Sequence, residues 1–247
     1  MSRDCTPGNR APPFAFRNSG TLEIERIELA PESTTVYIQA YFRPHNWIRI
    51  SSETYIRTGA EGEKLTVRSA DGMPLDTEFY MPETGRHDFS LSFPPVDPKT
   101  AKIDLIESDC PDCFKIYDID LTGKKAKPGR SALAKKYKKA APLTENFTAP
   151  VVSDSPARIA GAITGYDPRF FDRIEIAFYS PIVGDGATEL SVPVREDGSF
   201  ETGLNILTPI RGMLFLPGFV TLPFYAEPGR ETALEIDLGA VYRKTSV

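Results

Sequence analysis

Apolar and polar residues alternate with a period of two through most of this chain, the signature of a half-buried β-strand. Val36, Ile38, Ala40 and Phe42 share one face of a segment, as do Leu65 with Val67, and Phe89 with Leu91 and Phe93. The spacing predicts strands over residues 14–17, 22–29, 35–42, 47–50, 54–57, 64–69, 78–81 and 88–93, followed by a hairpin of 102–106 and 114–121. In Leu22, Ile24, Ile27 and Leu29 the parity changes once, which predicts a β-bulge or a swap between sheets. A second set of period-two runs begins at Ala157 and carries Ile159, Gly161 and Ile163; Ile174, Ile176 and Phe178; Leu190, Val192 and Val194; Met213 and Phe215; Val220, Leu222 and Phe224; and Leu234, Ile236 and Leu238. Asp197-Gly198 is a strong hairpin-turn signal, and Glu227-Pro228-Gly229 marks another turn before the last strand.

These patterns predict an all-β protein of two antiparallel β-sandwich domains, immunoglobulin-like or prealbumin-like, joined by a basic linker. The expected order is a flexible lead-in over 1–13, an immunoglobulin-like sandwich over 14–121, a linker over 122–156 with a short helix at 131–141, and a smaller sandwich over 157–247. Trp47 on an early central strand suits the immunoglobulin-like architecture, although no Cys pair has sandwich-bridging spacing. The 22 prolines and 18 glycines are scattered rather than clustered, as expected of many short strands joined by turns.

The formal charge of −5 is unevenly laid out. Residues 121–150 hold eight of the 29 basic residues and only Glu145 among the acids, so acidic lobes flank one basic strip. That layout argues against nucleic acid as a partner, which would call for cations spread over a folded face. No run approaches the roughly 18 apolar residues of a membrane-spanning helix, and the opening MSRDCTPGNR carries no apolar signal-peptide core.

Candidate chemistry concentrates in Cys110-Pro111-Asp112-Cys113, between the last two strands of the first domain. If the tetrapeptide is a β-turn, the two Cα atoms lie within about 7 Å, a span that a disulfide fits. Strand-like residues follow Cys113 where a thioredoxin-type pair would open a helix, and Glu107, Asp109 and Asp112 would raise a thiol pKa. A structural clip or inert thiols is therefore the first reading and redox exchange the second. His45 and His87, both in expected loops, match no zinc spacing with the cysteines, so neither a metal nor another cofactor is expected. Carboxylates such as Glu23, Glu25 and Glu28 read as a solvent-facing strand edge, and neither G-x-S-x-G nor a glycine-rich phosphate loop occurs. No catalytic residue is assigned. Tyr37, Tyr41, Trp47 and Tyr55 are candidates for a sugar-stacking surface, with core packing as the alternative. Leu214, Leu216, Phe219, Phe224 and Tyr225 are candidates for an exposed apolar patch that takes a partner.

Several stretches carry a family resemblance: WIRISSETY at 47–55, RSADG at 68–72, FYMPETG at 79–85 and DLIESDCPDCFKIYDI at 104–119. With ITGYDPR at 163–169, REDGSF at 195–200 and EPG at 227–229, the chain resembles the N-terminal β-sandwich region of cell-envelope proteins from Bacteroides-type bacteria. In many of those proteins a thioredoxin-fold thiol-disulfide oxidoreductase domain follows. The resemblance implies export to the periplasm or cell envelope, with the signal peptide not present in this sequence, and it carries over no site residue. The expected function is a non-enzymatic scaffold or binding module that positions a protein partner or a C-terminal thioredoxin-like domain. A redox accessory using Cys110 and Cys113, or a carbohydrate-binding module, are the alternatives.

Overall fold

The computed structural model describes residues 3–4, 11–110, 113–123, 149, 152–179 and 186–242. The chain divides into two compact units, Met1–Lys127 with Tyr242–Val247, and Pro128–Val241. Among the described residues, every regular element of both is a β-strand except one short helix.

The first unit contains β1 (Arg3–Asp4), β2 (Phe16–Arg17), β3 (Leu22–Leu29), β4 (Thr34–Tyr41), β5 (Trp47–Ile48), β6 (Tyr55–Arg57), β7 (Leu65–Thr66), β8 (Ser69–Asp71), β9 (Phe79–Tyr80), β10 (Arg86–Phe93), β11 (Lys102–Ile106) and β12 (Lys115–Asp120). They form two five-stranded antiparallel sheets, ordered β1-β3-β4-β10-β8 and β2-β12-β11-β6-β7, plus a two-stranded ribbon of β5 and β9. Period-two alternation turns Ile27, Val36, Ile38 and Leu91 of one sheet and Ile56, Ile103, Leu105 and Ile119 of the other into one buried cluster. The two sheets therefore face each other as a sandwich. Each fully buried Ile or Leu contributes about 1.5–3 kcal/mol, so this cluster far outweighs the roughly 2 kcal/mol that a four-residue disulfide loop supplies by chain entropy.

Two bulges set the phase of the strands. The register of β3 against β4 shifts between Ile24 and Arg26, which accounts for the parity change visible in the sequence. A second shift lies between Ile103 and Leu105 of β11, opposite Ile116 and Ile119 of β12, where Asp118 adopts a φ of 54°. Asp104, buried at 1% exposure, completes this bulge. One carboxylate oxygen accepts the Asp118 N–H at 2.9 Å, and the other accepts from Arg57 Nε at 3.2 Å. The bulge also explains why Ile116, Tyr117 and Ile119 are all buried, where simple alternation groups Tyr117 with Ile119 and Leu121.

The second unit contains β13 (Ala157–Thr164), β14 (Arg173–Tyr179), β15 (Ala187–Pro193), β16 (Ser199–Leu204), β17 (Ile210–Leu216), β18 (Val220–Ala226), β19 (Glu231–Asp237) and the short α1 (Leu238–Val241). Its sheets are ordered β16-β13-β19 and β15-β14-β17-β18. One pairing departs from the antiparallel expectation: β13 and β19 run parallel, from Arg158↔Glu231 to Thr164↔Asp237. The intervening strands supply the long crossover that a parallel pair requires. Gly161 faces Phe200 and Gly212 faces Phe224 across their ladders, and at either glycine a Cβ would stand 2.2 Å from the partner ring. Only glycine leaves room there for a ring to lie across the strand. Gly198 takes a φ of 79° in the Asp197-Gly198 turn, but the turn is not the hairpin that the sequence predicts, because the β15 and β16 it joins lie in different sheets.

Two expectations change. Within the segment read as a loose lead-in, Arg3–Asp4 pairs with Glu28 and Leu29, because the edge of β3 offers backbone groups that recruit a strand whatever its sequence. Trp47 is not a core residue of an immunoglobulin-like strand: β5 turns Ile48 inward and Trp47 outward. The linker's expected helix at 131–141 lies outside the described residues.

Asp104→Ala is expected to lower the unfolding free energy by about 3 kcal/mol, because it leaves Arg57 without its carboxylate and the Asp118 N–H without an acceptor. Urea denaturation measures this, and a loss below about 0.5 kcal/mol would show that the bulge does not depend on Asp104.

Candidate functional site

The β11–β12 hairpin places Cys110 and Cys113 with Cα atoms 5.3 Å apart, and their sulfurs are bonded. The tip is held from both sides. Asn18 donates from Nδ2 to the Cys113 carbonyl at 2.8 Å and accepts the Lys115 N–H at 2.7 Å. Asp109 accepts from Tyr55 Oη at 2.9 Å and from Lys64 Nζ at 2.6 Å. These two bonds hold the Asp109 carboxyl below its ordinary range, while burial and the bond to Asp109 push the Tyr55 phenol up to about 12. Among the described residues, carboxylates rather than helix N–H groups border the pair, so the setting does not favour a thiolate.

Below the tip lies a cleft of about 230 Å³. Leu22, Ile48 and Ile50 supply apolar lining together with Phe42 and Phe114, and Ser19, Thr21, Arg49 and Glu107 supply polar groups. Its volume falls short of the roughly 300 Å³ at which pockets for drug-sized ligands begin, so it suits a single small group. Burial raises the Glu107 carboxyl above the usual carboxylate range. The Phe114 N–H, 3.3 Å from Oε2, and the charge of Arg49 pull the other way without prevailing. In the sequence Glu107 stands out only as an acid near the cysteines and Arg49 not at all; only folding brings the turn before β3, the residues around β5 and the end of β11 to one place.

On the β5–β9 ribbon, Trp47 stands opposite Tyr80 on the outward face, 48% and 61% exposed. Ile48 and Met81 on the opposite phase are buried and fix the ribbon. Of the four aromatics singled out in the sequence, Trp47 and Tyr41 are exposed, whereas Tyr55 is buried. Tyr37 is half-buried, with the Arg26 guanidinium 3.5 Å from its ring centroid. Tyr80 was missed because Phe79-Tyr80 offers aromatic residues in both phases.

In the second unit the proposed apolar patch needs correcting. Leu214, Leu216 and Phe224 are buried, because strict alternation along β17 and β18 turns them into the core. The exposed face of that sheet has the opposite phase: Met213 and Phe215 on β17, Tyr225 on β18 and Tyr179 on β14. Phe219 and Tyr225 of the original set remain exposed. Phe219 sits in the β17–β18 turn at 98% exposure, with a φ of 64° behind Gly218 at 78°.

The histidines separate. His87 lies against the Phe79 ring at 4.2 Å and bonds the Gly72 carbonyl at 2.7 Å, while the exposed His45 is 3.5 Å from Glu83. Among the described residues no group of three or more His, Cys, Asp or Glu gathers to hold a metal.

A carboxyl whose pKa is raised by folding keeps its proton more readily in the native state. Native stability therefore falls as pH rises from the unfolded-state pKa through the raised value. Glu107→Gln is expected to remove that part of the decline. Stability measured from pH 4 to 8 would show a flatter profile for the variant, and parallel profiles would contradict the burial of a strained carboxylate.

No protein-family model matches the chain, and no curated protein matches it in sequence. Among solved structures it is similar to pullulanase type I from Bacillus subtilis str. 168 complexed with maltose, at 8% identity and a TM-score of 0.29 over 78% of this chain and 23% of that one. It is similar also to the Bacillus anthracis TIE protein (8% identity, TM-score 0.24, 96% of this chain and 40% of that one). A pullulanase from Bacillus acidopullulyticus matches at 11% identity and a TM-score of 0.22, over 81% of this chain and 25% of that one. The chain thus spans well under half the length of each, and likenesses this distant carry no functional argument.

Proposed function

We propose that the chain is a non-enzymatic binding module of an exported bacterial protein, which positions a protein partner or a C-terminal thioredoxin-like domain. Phe219 carries this reading. A non-glycine residue at positive φ bears backbone strain, and a fully hydrated phenyl ring bears a hydration cost, so the position gains nothing in the isolated fold. The ring tops a sheet face bearing Phe215, Met213, Tyr225 and Tyr179, and aromatic residues with Met are the side chains enriched in protein interfaces. The Cys110–Cys113 disulfide supports an oxidising location such as the periplasm or cell envelope. The resemblance to envelope proteins of Bacteroides-type bacteria points the same way.

A redox-accessory role has less support, since the pair closes a tip between two strands and is bordered by Glu107 and Asp109. Carbohydrate binding is the second reading, favoured by the outward Trp47 and Tyr80.

A photoreactive amino acid at position 219, in the host cell, is expected to give one discrete protein adduct that the same probe at the exposed Glu196 does not. Equal adduct patterns from both positions would contradict a docking role for the β17–β18 tip.

A further inference from the structure

We propose that the outer face of the β5–β9 ribbon is a sugar-binding platform on which Trp47 and Tyr80 stack against the C–H face of a neutral pyranose. This deepens the carbohydrate reading and rests on it. Cross-strand neighbours in an antiparallel pair project to the same side with Cβ atoms about 4.5–5.5 Å apart, so Trp47 and Tyr80 present their rings on one face of the ribbon. Their positions are fixed from behind. Ile48 and Met81 are buried, Phe79 packs against the core, and Met81 N–H bonds the Asn46 carbonyl at 2.9 Å. A ligand therefore meets a ribbon backbone already held in place, which lowers part of the ordering cost of binding.

The surroundings decide the class of ligand. Asn46 beside Trp47, Arg49 two residues beyond it and Glu78 two before Tyr80 are all exposed. Tyr80 Oη donates to Glu78 Oε2 at 3.1 Å, which orients that carboxylate beside the platform. A small apolar surface rimmed by donors and acceptors complements a ring that is apolar on its face and hydroxylated at its edge. A protein partner would favour a broader apolar patch, as on the β17–β18 face. The exposed Glu78 carboxylate and Arg49 guanidinium offset each other on the rim, which favours neutral sugars over uronic acids.

Trp47 is the single tryptophan of the chain, so its fluorescence reports directly on the platform. Titrating the full chain with cellohexaose, xylohexaose, mannohexaose and maltohexaose is expected to give a saturable emission change with at least one of them. Calorimetry with that sugar is expected to show at least ten-fold weaker binding to Trp47→Ala and to Tyr80→Ala. Both positions are exposed, and matching circular dichroism melts would confirm that the variants fold. Undiminished sugar binding by both variants would overturn the platform while leaving the carbohydrate reading intact. No binding to these sugars, or to any on a broad glycan array, would overturn both. An emission shift with phosphatidylcholine or phosphatidylglycerol vesicles in place of any sugar would reassign the rings to a lipid surface and overturn the platform.

Discussion

The first sandwich depends on one buried carboxylate. Asp104 takes the Arg57 guanidinium and the Asp118 N–H together, and in doing so satisfies the backbone group that the β11–β12 bulge releases. Without that acceptor the extra residue of β12 would leave an unpaired donor inside the sheet, and a register without the bulge would compete. A one-residue slip turns every side chain beyond it to the other face. Glu107, the disulfide tip and Phe114 all lie beyond the bulge, so their placement follows from the Asp104 contacts.

Alternation then determines what each unit presents to water. Where β5 turns Ile48 inward, Trp47 must face out; where β17 turns Leu214 and Leu216 inward, Met213 and Phe215 must face out. Isolated exposed apolar residues are ordinary on any protein surface, but neighbouring aromatic ones on a rigid strand face are not. The two faces differ in kind: a paired-ring platform with a polar rim on the first unit, and a wider patch of aromatic residues and Met crowned by Phe219 on the second. In the proposed reading the first takes a small amphipathic ring and the second a protein surface.

Much of this fold is legible in the sequence. The period-two runs locate nearly every long strand, the parity change in β3 marks a real bulge, and Asp197-Gly198 turns the chain, though between strands of two sheets rather than in a hairpin. The facing of β17 is not legible, because Gly-Met-Leu-Phe-Leu is apolar in both phases and periodicity cannot choose between them. Residues 69–71 pair as β8 with only Ala70 packed against the core, and so short and polar a stretch gives little signal. The β13–β19 parallel pairing depends on contacts between the ends of a unit, beyond the reach of local pattern. Candidate site residues suffer most. Arg49 and Glu107 are ordinary charged residues until the turn before β3 and the end of β11 meet, and Tyr80 acquires meaning only from the strand opposite it.

The role proposed for the outward rings is contact rather than support of the fold. Its most direct test is the unfolding free energy of the double variant Tyr80→Ser with Phe219→Ser, one change in each unit, measured by urea denaturation against the unaltered chain. If the rings are free of structural duty, the pair costs less than about 1 kcal/mol, as surface substitutions at independent sites do. A loss of about 3 kcal/mol or more would show that they pack the fold, and would contradict the account.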